Sequence, residues 1–257
     1  MHSRAVAAPG WANRLPKTSY TYKSVNRTVG KALHRYAMIA DGDRILVGLS
    51  GGADSMTLLW VLRERLRRVP IDYELHALYV DPGFEGGFAD RLAQYWRQAG
   101  LTVHVAHTDD GVVAHSAENR ENPCFLCSMR RRRRLFETAD RLGCTKIALG
   151  HNRDDIVETF FMNMCYAGEI STMQPAQDFF GGRFTVIRPL AYTESRMIRR
   201  FARERGFPHF ENPCPSAGHS KRQQIREWLD RQYRTNRKIR GNIFRALHNV
   251  RQDYLLK

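Results

Sequence analysis

Cys124-Phe125-Leu126-Cys127 is a C-x-x-C pair, and five consecutive arginines, Arg130 to Arg134, follow it. Two thiols at this spacing suit a redox pair, half of a zinc site or part of an iron-sulfur site. A thioredoxin-like pair needs a strand directly before it, whereas here the polar stretch from Thr108 to Pro123 precedes. Among the remaining cysteines, Cys214 shares its setting with Cys124, since each closes a Glu-Asn-Pro-Cys tetrapeptide. Cys144 and Cys165 have helical or apolar neighbours and read as packing residues. Three thiolates from Cys124, Cys127 and Cys214 on a cubane cluster leave one iron without a protein ligand, and that iron could bind and deliver a sulfur atom. Three cysteines plus a histidine such as His219 on zinc is the alternative, because spacing does not separate the metals.

A second constellation is Ser50-Gly51-Gly52-Ala53-Asp54-Ser55, set between the apolar run Ile45 to Leu49 and a helical pattern through Met56, Leu59, Trp60, Leu62 and Leu66. A strand running straight into a helix presents backbone N–H groups and the positive end of the helix dipole, and glycines let a phosphate approach the main chain. No Lys follows the glycines as in G-x-x-x-x-G-K-[ST], and Gly48, Gly51 and Gly52 have the wrong spacing for G-x-G-x-x-G. The plainer reading is an ordinary turn capped by Ser50 or Asp54. A third group, Gly150-His151-Asn152-Arg153-Asp154-Asp155 followed by Glu158-Thr159, comes directly after the apolar run Lys146 to Leu149. Adjacent carboxylates at a helix start could hold Mg2+ with its waters against a phosphate, although simple capping by Asp154 explains the acids as well. Five consecutive arginines in a helix face all sides, so some meet solvent or RNA while at least one, Arg131 the candidate, points toward cluster and nucleotide.

These residues need a frame to hold them. Further strands are expected at 74–80, 101–106 and 184–187, separated by helical segments at 88–98, 128–142 and 154–166. Short apolar runs alternating with helices give an α/β fold: a parallel twisted sheet with helices on both faces, whose ligands bind at the carboxyl edge. Charge divides the 257 residues into three parts. Residues 1–40 read as a basic N-terminal arm and 216–257 as a basic helical extension, and these ends carry the whole net charge of +15 around a neutral 41–215 domain. Basic ends interleaved with aromatics such as Trp11, Tyr20, Trp228 and Tyr233 suit a phosphate-backbone partner, although a solvated surface explains them too. No run is long and apolar enough to span a membrane, no apolar signal core opens the chain, and an odd cysteine count argues against a disulfide framework. A cytoplasmic location without membrane attachment is expected.

SGGADS resembles the SGGxDS signature of the PP-loop ATP pyrophosphatases, and GHNRDDIVET resembles a sequence recurring in members that act on tRNA. With VGKALHRYAMIADGDRILVGLSGG, the C-x-x-C and arginines, TKIALGHNRDDIVETFFMNMCYAGE and VIRPLAYTE, the chain from about Val29 to Leu255 is similar to the tRNA 2-thiocytidine synthetase branch. The resemblance implies a homodimeric enzyme using ATP, Mg2+, a [4Fe-4S] cluster and sulfur from a persulfide donor, such as a cysteine desulfurase, or from free sulfide. Its implied target is a cytidine in the tRNA anticodon loop. Ser50, Gly51, Gly52, Ala53, Asp54 and Ser55, with Gly150 and His151, would cradle the nucleotide, and adenine would pack near Tyr79 and Val80. Asp54 and Asp155 would serve magnesium, and the base oxygen would attack the α-phosphate before sulfur displaces AMP. Three departures stand out: Ala53 replaces a frequent Lys, His151-Asn152 replaces a His-His pair, and Cys214-Pro215 is similar to the 2-thiouridine synthetases. A PP-loop ligase with structural zinc and an RNA-binding protein with an idle nucleotide site are the rival classes.

Overall fold

The computed structural model describes residues 19–216, 218 and 220–255, so His219 and the first eighteen residues of the expected arm, Trp11 included, lie outside the described residues. The chain forms two compact units. One comprises residues Met1–Asn152 and Gln174–Ala217, and the other Arg153–Met173 and Gly218–Lys257.

The first unit is built on a six-stranded sheet of order β3-β2-β1-β4-β6-β5, from β1 (Asp43–Leu49), β2 (Tyr73–Asp81), β3 (Val103–His107), β4 (Lys146–Ala148), β5 (Ala176–Phe179) and β6 (Phe184–Ile187). Every neighbouring pair is parallel except β5 with β6. Ile45, Val47 and Leu49 of β1 pack into one core with α1 (Tyr20–Arg35), α2 (Ala53–Arg65), α3 (Ala89–Gln98) and α7 (Ser195–Arg205). Leu46 points the other way, into a second core with Leu135 and Ala139 of α5 (Pro123–Arg141). Alternation in a strand thus serves both faces, which is why the run reads as continuously apolar. A short helix, α4 (Asp110–Ala114), interrupts the connection from β3 to α5.

The charge-based division follows a different line from these units. Residues 20–35 of the expected arm form α1, where Tyr22, Val25, Val29 and Ala32 are buried. Ser19 caps this helix by accepting from the Tyr22 N–H at 3.1 Å, and Arg205, 2% exposed, lays its guanidinium 3.9 Å from the Trp60 ring centre. In the second unit, α6 (Arg153–Met162) packs Val157 with Ile225 and Leu229 of α8 (Lys221–Thr235), and Ile243 and Phe244 of α9 (Lys238–Ala246) adjoin them. Among the described residues no helix is long and apolar enough to cross a membrane.

Candidate functional site

The strand order reverses at β1, which has β2 on one side and β4 on the other, and ligands in open α/β sheets bind at the carboxyl ends beside such a switch point. The SGGADS turn follows β1 there. Ser55 closes it: its Oγ accepts from the Ser50 N–H at 3.1 Å and the Ser50 hydroxyl at 3.2 Å and donates to the Gly52 carbonyl at 3.1 Å. One proton and two lone pairs are thereby all used. Gly51 has φ of 74°, and a Cβ there would stand 2.6 Å from Cε2 of Phe88. Phe88 is itself held by Tyr79 and Phe210, with ring centres at 5.1 and 4.9 Å. An aromatic wall therefore backs one side of the turn, while Ser50 and Gly52 are exposed and Ala53 and Asp54 half-buried on the other. Gly52 caps α2 without a side-chain bond, so the positive helix end is left to main-chain donors.

The loop after β4 leans on this turn. A Cβ at Gly150 would lie 3.0 Å from the Ser55 nitrogen and 3.2 Å from the Asp54 carbonyl carbon, so only glycine lets the two segments approach so closely. His151 is half-buried on this loop. Asn152, 3% exposed, donates from Nδ2 to Asp54 Oδ1 at 3.0 Å. Asn152 stood out in the sequence only as a departure from a His-His pair, and nothing in its spacing marked the bond to Asp54.

The unit boundary falls after Asn152, and Asp155 belongs to the second unit, in the first turn of α6. Other polar groups of the motif hold that unit together. Asp154 accepts from Arg240 at 2.8 Å, Thr159 accepts from Arg222 at 3.1 Å, and Glu158, 3% exposed, takes both arms of Arg226 at 2.7 and 3.0 Å.

The C-x-x-C pair lies inside α5, which begins at Pro123 rather than near 128. Asn122 is the cap, its Oδ1 accepting from the Phe125 N–H at 3.2 Å, and Pro123 fits a first turn that needs no N–H donor. Cys124 and Cys127 then stand three positions apart on one helix face. In the repeated tetrapeptide, Asn212 makes a different bond, accepting from the Cys214 N–H at 3.2 Å. Burial pushes the Cys127 thiol up, Arg131 pulls it down, and Cys214, Asp110 and Cys124 push it further up. Cys214, distant in sequence, thus shares the electrostatic neighbourhood of Cys124 and Cys127. Among the described residues no three His, Cys, Asp or Glu side chains close on a single metal ion.

His115 was not anticipated. Its Nε2 is 3.8 Å from the Cys214 sulfur and 2.8 Å from the Ser216 hydroxyl, while Nδ1 lies 2.9 Å from the Gly111 carbonyl, an arrangement that places the ring proton on Nδ1 and leaves Nε2 as acceptor. Cys144 is buried as expected. Cys165 is not: it is exposed on the π-helical turn Asn163–Ala167, whose wider turn shifts residues out of the phase of α6 and buries none of them.

The arginine run is divided in its tasks. Arg130 and Arg134 straddle Asp110, a carboxylate 4% exposed, at 3.2 and 3.5 Å, and Arg133 pairs with Glu137 at 2.7 Å. Arg131 is exposed and acts electrostatically on both Cys127 and Tyr79. Tyr79 and Val80, near the end of β2, face opposite cores and are 4% and 6% exposed, so an adenine there would meet main chain rather than both side chains.

Residues 21–232 match the PP-loop domain family. The chain belongs to it. Within the PP-loop family it groups with the tRNA-cytidine(32) 2-sulfurtransferases. Identity to the Geobacter sulfurreducens protein of that name is 39% over 238 residues, 91% of this chain and 93% of that one. To the Geotalea daltonii protein it is 37% over 239 residues, 91% of this chain and 94% of the relative. The fold also matches the U34-tRNA thiolase NcsA from Methanococcus maripaludis, solved with its [4Fe-4S] cluster, at a TM-score of 0.75 and 23% identity over 92% of this chain and 80% of that one.

Proposed function

We propose that this PP-loop protein is an ATP-dependent tRNA sulfurtransferase that adenylates a base carbonyl and exchanges its oxygen for sulfur, making 2-thiocytidine in the anticodon loop. The observation that carries the reading is the gathering of Cys124, Cys127 and Cys214 in the unit that also holds the SGGADS turn, in a chain 39% identical to a tRNA-cytidine(32) 2-sulfurtransferase. In this reading ATP lays its phosphates on the exposed side of residues Ser50 to Ser55. Asp54, steadied by Asn152, is a magnesium candidate, with Asp155 the other that the family resemblance supplies. Attack by the base oxygen on the α-phosphate releases pyrophosphate, and departure of AMP as sulfur arrives completes the exchange. The donor set fits a [4Fe-4S] cluster: three soft thiols in one electrostatic neighbourhood. When bound, the cluster supplies an iron open to sulfur. Arg131 keeps positive charge beside Cys127.

The protein would act in the cytoplasm as a homodimer, fed by a persulfide donor or free sulfide. Mass analysis of nucleosides in tRNA from a deletion strain tests this. The expected result is loss of 2-thiocytidine, restored by the wild-type chain and not by Cys214→Ser; unchanged 2-thiocytidine refutes the reading. Loss of a thiolated uridine instead selects a second reading, favoured by Cys214-Pro215.

A further inference from the structure

Arg188 follows β6 at the carboxyl edge of the sheet and is 7% exposed. Phe184 and Val186 of that strand face the core formed with α5 while Ile187 faces the opposite one, so alternation carries Arg188 to the α5 side. Burial lowers its pKa to about 10, and the charge that adds to this is Arg132 of α5. Arg188 Nη1 donates to the Gln174 carbonyl at 2.5 Å, and its Nε is enclosed with no partner. Among the described residues no carboxylate pairs with Arg188 or Arg132, whereas Arg130, Arg133 and Arg134 all have one.

A buried guanidinium beside a second cation, with no acid to balance either, is costly unless an anion completes the site. β6 is hydrogen-bonded to β4, whose following loop leans on the SGGADS turn, so this charge lies at the same sheet edge as the phosphate cradle. We infer that Arg188 and Arg132 form a phosphate-binding site, distinct from the glycine turn, that takes one phosphate group of a nucleotide or of an RNA backbone. The guanidinium fork, with several donors in a plane, suits phosphate oxygens better than a halide or a neutral group. The inference concerns binding and does not depend on the proposed thiolation.

The test measures binding of AMP and of an unmodified tRNA transcript to wild type, Arg188→Gln, Arg132→Gln and Arg133→Gln, without sulfur or turnover. Losing a charged hydrogen bond should weaken the relevant ligand about tenfold or more in the first two variants, with Arg133→Gln near wild type for both ligands. Loss for AMP alone assigns a nucleotide phosphate. Loss for tRNA alone, with the salt slope reduced by about one, assigns the RNA backbone, and loss for both means that each presents a phosphate there. Wild-type affinity for both ligands in Arg132→Gln and Arg188→Gln overturns the inference. Should Arg188→Gln misfold by circular dichroism, the exposed Arg132→Gln decides alone.

Discussion

Replacing Gly51 by alanine should unfold the nucleotide turn before any ligand is involved. The backbone there has φ of 74°, a region that costs an L-residue about 1–2 kcal/mol. The new methyl would also lie 2.6 Å from Phe88, and that ring cannot swing away easily because Tyr79 and Phe210 hold it at 5.1 and 4.9 Å. Overpacking of this kind adds about 1–3 kcal/mol, giving about 2–5 kcal/mol in all, a large fraction of the roughly 5–15 kcal/mol that holds a domain together. Urea titration followed by tryptophan fluorescence reads the loss. Gly52→Ala is the contrast: its φ is −77° and the nearest atom to a new Cβ is Ser50 Oγ at 3.5 Å, so stability should change by less than about 1 kcal/mol while ATP binding weakens. Adding Phe88→Ala to Gly51→Ala should recover the overpacking share and leave the backbone share, a coupling of about 1–3 kcal/mol. Equal stability of Gly51→Ala and wild type would refute this account of the turn.

Thiol chemistry should follow exposure: iodoacetamide mapped by mass spectrometry labels exposed Cys124 and Cys165 first, Cys127 faster as pH rises because burial holds its thiol up, and Cys144, pushed up to about 11, only on unfolding. Asp110→Asn strips the carboxylate between Arg130 and Arg134 and leaves two cations facing a neutral amide, so melting temperature should fall by several degrees and Cys127 should be alkylated faster; an unchanged melt would sink the clamp. Burial pushes Tyr22 and Tyr73 up to about 12, so each contributes stability that is whole below about pH 10, where the unfolded phenol starts to ionise, and is lost as pH rises through 12. Thermal melts from pH 9 to 12 should show that decline, with tyrosinate absorbance appearing as the fold opens.

The parallel strands were legible because a strand buried on both faces leaves an unbroken apolar run, as at 45–49. β5 was not: Ala176 to Phe179 is a four-residue antiparallel edge strand with only half-buried and exposed positions. α1 was hidden by its charge. Counting Lys and Arg across 1–40 suggested an arm, although Tyr22, Val25, Val29 and Ala32 already had helical spacing and all are buried. The start of α5 was written in Asn122-Pro123, a cap and a first-turn proline, but the cysteines drew attention to metal rather than to helix phase. Cys214 was paired with the C-x-x-C through a repeated tetrapeptide, and the Cys127 thiol responds to it. His115, Asn152 and Arg188 carried no such signal, since each acquires its neighbours by tertiary packing across distances that sequence spacing does not encode.

The second unit is assembled from two stretches of chain, and its apolar centre joins Val157 of the first to Ile225 and Leu229 of the second. On the ribosome α6 therefore emerges roughly 60 residues ahead of its partners, a delay of roughly 3–12 s at ordinary elongation rates of about 5–20 residues per second. Through that interval its greasy side waits uncovered, while the strands encoded on either side of the gap can begin to pair. A premature stop near residue 217 would make the exposure permanent, giving nascent products that chaperones retain rather than a smaller working enzyme.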